Sequence, residues 1–308
     1  MHCMSERKAA KISTIFIMCS AVCWGSIGLV SRPLLSYGLD PVHITFLRCS
    51  ITAVTLIIFS ALFKRESLRI SGIKNTLLFI GSGVVGVALM YVFYFKTVDS
   101  ATLSLAAVLL YTAPCFVLIM SCIFFKEKVT VKKIIALVIA SAGCVLSTGL
   151  ISTLSGDVSH ISVLGVLTGA AAGLCYAFYT IISNQLLKTY SSLTIITYSF
   201  SIGTICLIPV CDFDSMLDVM AQVNVLPFII PLSFCCTLLP YVLYTFGLNH
   251  VEPSKASIMA LVEPVVATLW SILYFREGYT LTGLLGIVLV FVSIIILNIG
   301  KAEPERLS

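Results

Sequence analysis

The sequence predicts an all-α integral membrane protein: ten transmembrane helices built as two five-helix repeats of opposite orientation, with both termini in the cytoplasm. Three observations carry this. The 308 residues are 59% hydrophobic and only 11% charged, where a soluble domain has about a quarter charged residues. Charge-poor stretches of spanning length recur along the whole chain. The second half also repeats the first at a fixed offset.

The solvent is settled first. Mean hydropathy is +1.07, and a helical span needs about 20 mostly apolar residues. Such runs lie at roughly 12–30, 41–63, 76–95, 100–125, 134–154, 161–183, 192–210, 225–248, 256–275 and 281–299. Little chain is left for a soluble domain. The first run follows Arg7, Lys8 and Lys11, as in a secretory signal. It is longer than a signal core, however, and no A-x-A-like site follows it. It is expected to stay as the first span.

Orientation follows from the positive-inside rule. With the N-terminus inside, fifteen of the 19 lysines and arginines fall on the inner side. Only Arg32, Lys96 and Arg276 fall outside, and Arg48 lies within a span. The net charge of +5 is therefore a topology signal that gives no reason to expect nucleic acid as a partner. The expected setting is the cell (inner) membrane, with the lipid bilayer itself as a partner. Twelve cysteines include no C-x-x-C pair, and most sit inside apolar runs, where cysteine packs as a small hydrophobe. No metal or cofactor is expected.

Shifting the sequence by 150 residues brings Tyr91–Phe95 onto Tyr241–Thr245, Pro114 onto Pro264, and Phe124–Thr130 onto Tyr274–Thr280. Ten of the forty positions from 91 to 130 are identical to their partners without a gap. The repeats are placed at 12–150 and 161–299, with tails at 1–11 and 300–308. Five spans is an odd number, so the second repeat must enter the membrane from the opposite side. Inverted repeats of this kind bind substrate near the midplane, often against interrupted helices, and work by alternating access. Pro114 and Pro264 fall near the middle of their spans. A proline there removes a backbone hydrogen bond, so both are read as helix kinks. The carbonyls of Leu110 and Ala260 are then open either to a cavity or to packing.

With these pieces the chain resembles the EamA-type branch of the drug/metabolite transporter superfamily. The resemblance rests on YTAPCFVLIMSCIFFKEKVT in the first half and LVEPVVATLWSILYFREGYT in the second. CWGSIGLVSRPLL and the arginine-bearing FLRCSITAV add to it, and it covers nearly the entire chain. Lys126 and Arg276 stand where the family more often has small residues such as glycine, and Ser293 stands where the last helix often has glycine. The resemblance implies small-molecule transport, most often export of amino acids or related metabolites.

Polar residues inside the spans supply the candidate site. Glu263 is the only acid in a span core, and an ionised side chain there costs at least about 2.5 kcal/mol. It is expected to serve proton coupling or bind a substrate amine, or else to be structural and paired with Arg48. Arg48 could snorkel outward, pair with Glu263, or hold a substrate carboxylate in a two-pronged contact. Tyr91 with Tyr94, and Tyr241 with Tyr244, share helix faces at i,i+3; Trp24, Tyr111, Tyr176 and Tyr179 also lie within spans. These aromatics suit either a substrate wall with polar tips or anchoring at the membrane interface. Glu127 and Glu277, just before Thr130 and Thr280, are read as charges favouring the capped helix starts.

The function expected is therefore a secondary carrier exporting amino acids, amines or related metabolites, with protons as a possible coupling ion. Uptake or exchange of another small metabolite is the alternative. An enzyme is not expected. The four histidines (2, 43, 160, 250) lie at span ends or in loops, and Glu263 has no second carboxylate for a dyad.

Overall fold

A computed structural model describes residues 2–151, 162–276 and 280–298, and every regular element among them is helical. The helices are α1 (His2–Gly25), α2 (Ile27–Ser36), α3 (Pro41–Phe63), α4 (Ile73–Gly83), α5 (Met90–Ser100), α6 (Leu103–Leu110), α7 (Ala113–Phe125) and α8 (Val131–Ser147). There follow α9 (Val163–Leu186), α10 (Ser192–Leu207), α11 (Phe213–Gln222), α12 (Leu226–Ser233), α13 (Leu239–Gly247), α14 (Pro253–Ala260), α15 (Glu263–Leu273) and α16 (Leu281–Asn298). Several join into longer rods. Among the described residues nine segments are long and apolar enough to cross a membrane, from Lys8–Ser36 to Leu281–Asn298. The chain is thus a multi-pass membrane protein. The expected span at 134–154 appears as α8, whose 17 residues make it shorter than these nine.

Helix starts are written in the sequence. In lipid the orphan N–H groups of a helix start need partners from the chain itself. Asp40, Thr102, Thr130, Ser162 and Ser191 each accept a hydrogen bond from the third residue of the helix they precede. Large apolar side chains such as Leu62, Phe63, Ile123, Leu167 and Val288 stay exposed on the outside of the bundle. On a surface facing lipid they cost nothing.

The prolines do something sharper than kink. Each long rod is cut by a two-residue turn, Tyr111–Thr112 in one and Leu261–Val262 in the other. Pro114 and Pro264 are the second residues of the helices that restart after it. At a helix start the missing N–H is no loss. The reading of two kinks within continuous helices is therefore replaced by two broken helices. Short-range bonds close the turns: Thr112 N–H to the Leu109 carbonyl, and Val262 N–H to the Met259 carbonyl.

Other local features recur at the same 150-residue spacing. Wider π-helical turns occupy Val84–Leu89 and Phe234–Leu238. Lys126 and Arg276, at the ends of the restarted segments, have φ of 54° and 53°. That left-handed conformation costs a side-chain-bearing residue about 1–2 kcal/mol, which gives a physical reason for glycine at these positions. Lys126→Gly is expected to raise thermal stability, by under about 1 kcal/mol once glycine's own entropy cost is subtracted. Lys126→Ala, which keeps the Cβ, should give no such gain in a detergent melting curve.

Much of the packing recurs when the halves are exchanged. Helix α3 packs on its counterpart α10, and α8 on its counterpart α16. The pairs α5–α9, α4–α10 and α7–α9 are matched by α13–α1, α12–α3 and α15–α1. Two backbones nearly touch between α8 and α16: a Cβ on Gly143 would stand 2.8 Å from the Gly286 carbonyl, and one on Gly286 2.6 Å from that of Gly143. Gly143→Ala should therefore destabilise the protein by about 1–3 kcal/mol. Gly28→Ala, where a Cβ meets nothing within 4 Å, is the control expected to leave the melting temperature unchanged.

The contacts of α14 break the pattern. Hydrogen bonds from Tyr190 to Ser71 and from Tyr198 to Leu68, and an ion pair between Lys133 and Glu252, gather the lysine- and arginine-rich loops at one end of the bundle, the basic end. There α7 packs against α14, whereas their counterparts α15 and α6 barely meet at the opposite end. Accordingly α14 is buried at every position but Lys255, while most of α6 is only partly buried.

Candidate functional site

The two helix breaks face one another. Tyr111, in the first break, donates its hydroxyl to Glu263 Oε1 at 3.4 Å, and Glu263 is the first residue after the second break. The break changes the meaning of the buried acid. Read as mid-helix, Glu263 is an unsupported charge in oil; as observed, it opens α15 and lies in that helix's first turn. The positive end of the helix dipole favours a carboxylate there.

Arg48 lies on α3 and is 6% exposed. Its guanidinium carbon stands 4.7 Å from the centre of the Tyr91 ring, a distance at which a cation is attracted to an aromatic face. Among the described residues Arg48 makes no ion pair, so it is not bridged to Glu263, although its charge reaches that carboxyl. Arg48 therefore neither snorkels to the surface nor closes a salt bridge. The two opposite charges are held apart in one interior.

The aromatic candidates separate into two groups. Tyr91, Tyr94, Tyr111 and Tyr176 are only partly buried, as is Glu263, and Tyr94, Tyr111 and Tyr176 are close enough to Glu263 to feel its charge. Trp24, Tyr179, Tyr241 and Tyr244 are packed. The Trp24 ring centre lies 6.3 Å from Tyr176, 5.2 Å from Tyr241 and 5.3 Å from Tyr244. The hydroxyls of Tyr179 and Tyr244, both 0% exposed, are bonded to Thr245 and Thr180. These two tyrosines have no free polar tip, and neither sits at a lipid surface. Tyr241 is edge-on to Tyr179 and to Phe200.

Small residues let the break come close to α9. A Cβ on Gly173 would stand 2.8 Å from the Leu109 carbonyl and 3.4 Å from that of Leu110. The carbonyl left open by Pro114 thus lies against a glycine, on the packing side of the helix.

The helix caps hold at Thr130 and Thr280, which accept from the N–H groups of Lys133 and Gly283. Glu127 behaves differently from a cap charge. It is ion-paired with Lys133 at 2.5 Å and accepts a hydrogen bond from Ser254. Glu277 lies outside the described residues. Sequence reasoning placed Lys133 among the topology signals and passed over Glu252; their pairing at 2.9 Å joins residues more than a hundred positions apart. Trp270, also missed, donates to Ser26 Oγ at 2.8 Å between α15 and the α1–α2 junction. Among the described residues no group of three metal-binding side chains occurs.

Comparison with known proteins agrees with this architecture. The profile of the EamA-like transporter family matches residues 11–149 and again 163–299. The chain belongs to the EamA-like transporter family. An uncharacterized transporter of Archaeoglobus fulgidus is 29% identical over 295 residues, covering 96% of this chain and 97% of its own length. The inner membrane transporter YicL of Salmonella typhimurium is 24% identical, covering 94% and 96%. One solved crystal structure superposes with a TM-score of 0.75 at 15% identity, over 93% of this chain and 96% of that one, which shows a shared fold.

Proposed function

We propose that the protein is a secondary carrier that exports amino acids or related amines by alternating access. In this reading the chain is an inverted pair of five-span repeats, 12–150 and 161–299, with cytoplasmic tails 1–11 and 300–308, a division supported by the paired family matches at 11–149 and 163–299. Helix α8 is the tenth span, since 17 residues is the lower bound for a crossing. Supporting this, α3–α10 and α8–α16 are the pairs expected on a pseudo-two-fold axis, because each helix there meets its own counterpart.

The observation that carries the substrate class is the pair of unbridged, opposite charges. Glu263 and Arg48 lie in one interior, each beside a tyrosine, with no ion pair between them. An amino acid brings an ammonium for the first and a carboxylate for the second. Charge-assisted bonds of this kind are about twice as strong as neutral ones. Tyr91, Tyr94, Tyr111 and Tyr176 form the wall. Glu263 carries the coupling proton when the substrate is absent.

The test is purified protein in proteoliposomes loaded with a mixture of amino acids and amines, with efflux followed by mass spectrometry with and without a pH gradient. Saturable efflux of zwitterionic solutes, accelerated by the gradient, is the expected result. Efflux of amines that is indifferent to a carboxylate removes Arg48 from the binding site.

A further inference from the structure

The contact between α7 and α14 at the basic end is held by charge. Lys133, 3% exposed, bonds Glu127 at 2.5 Å and the Lys128 carbonyl at 3.1 Å within its own half. Across the halves it reaches Glu252 at 2.9 Å. Glu252 pairs also with Lys255 at 3.1 Å, and Ser254 donates to Glu127. Burial pushes the Glu252 carboxyl up, but hydrogen bonds and charge from Lys133 and Lys255 outweigh this and hold it below its ordinary value. The carboxylate is therefore ionised at neutral pH.

The other half has no equivalent. Moving each residue by 150 positions replaces Lys133 with Gly283, Glu252 with Thr102 and Lys255 with Leu105. Ser254 and Glu127 are kept, as Ser104 and Glu277, but the cation and its cross-half carboxylate are not. Glycine cannot supply a cation, so the same bond cannot form between α6 and α15. The Lys133–Glu252 pair is found where α7 and α14 close, and the positions that would repeat it, Gly283 and Thr102, belong to the end where α6 and α15 barely meet.

We propose that Glu127, Lys133 and Glu252, with Ser254 and Lys255, form a one-sided ionic latch that closes the basic end of the transport path. The opposite end closes without an equivalent of the Lys133–Glu252 pair. This rests on the alternating-access reading above and adds to it an asymmetry between the two end states. Separating α7 from α14 exposes the latch charges to water, which repays their parting. The latch holds the basic end shut while α6 and α15 are apart, and it must break for that end to open.

Hydrogen exchange read by mass spectrometry on the full chain in lipid nanodiscs tests this without any solute. Glu252→Gln cuts the cross-half ion pair while keeping the Lys133–Glu127 pair, so the variant retains the buried charge balance of the first half. Amides of Pro253–Ala260 should exchange about tenfold faster, the scale of one lost charged hydrogen bond. Those of Leu103–Leu110 should slow in return, because the opposite end closes as the basic end opens. Lys133→Met should give the same reciprocal change more strongly. Exchange unchanged in both segments, or faster in both together, overturns the latch and leaves a purely structural ion pair. A reciprocal change in a protein that moves no solute keeps the latch and removes the transport reading; transport with an unchanged exchange pattern does the reverse.

Discussion

Glu263→Gln is expected to abolish the response of efflux to an imposed pH gradient while still permitting exchange of solute for solute at saturating concentration. Glu263 is held at the first turn of α15 and bonded to Tyr111, so the amide keeps shape and hydrogen bonding but cannot take up or release a proton. A coupled carrier must return its proton site in one charge state and its loaded site in another. The amide removes that difference; it also turns the charge-assisted bond to the substrate ammonium into a neutral one, so exchange should need more solute to saturate. The measurement is efflux from proteoliposomes with and without the gradient, beside solute counterflow in the same preparation. Equal loss of both fluxes in a protein that melts at the parental temperature would assign Glu263 to substrate binding alone. A retained pH response would take it out of coupling.

Arg48→Ala should cost the protein its discrimination for carboxylates. A hydrogen bond to a charged group contributes about 1.5–3 kcal/mol, which is roughly tenfold to more than a hundredfold in affinity. Arg48 makes no ion pair among the described residues and its one close partner is the Tyr91 ring, so removing it leaves no buried carboxylate unpaired by the loss, and the fold should survive. Zwitterionic solutes should therefore bind more weakly by that factor, while amines lacking a carboxylate are unaffected. Arg48→Lys keeps the charge but loses the planar fork, and should recover only part of the affinity. Competition of each solute with a labelled substrate reads both variants directly. Equal weakening for amines and zwitterions would contradict the assignment.

Much of the fold is local and therefore legible in the sequence. The caps at Asp40, Thr102 and Thr130 are local, and so is the repeat, since Pro114 and Pro264 mark the same register in both halves. What escaped the sequence depends on contacts between distant segments. The close packing beside the first π turn is one such feature: a Cβ on Gly83 would meet Ile202, and one on Gly86 would meet Tyr179. Proline looks the same in a sequence whether it kinks a helix or restarts one. Tyr179, Tyr244, Tyr91 and Tyr111 are alike as residues, and only their distant partners, threonines for the first two and Glu263 for Tyr111, set them apart. Lys133 and Glu252 announce nothing when read in isolation, because their partnership exists only once the halves are brought together.

The central claim is that solute passes through one site between the two halves, exposed to each side in turn. Counterflow tests it most directly. Proteoliposomes preloaded with unlabelled amino acid are diluted into a trace of the labelled compound, with no ion gradient. A carrier working by alternating access accumulates label transiently above its outside concentration and then loses it as the internal pool dissipates. Label that only rises to equilibrium, however fast, would contradict the account and describe an open pore instead.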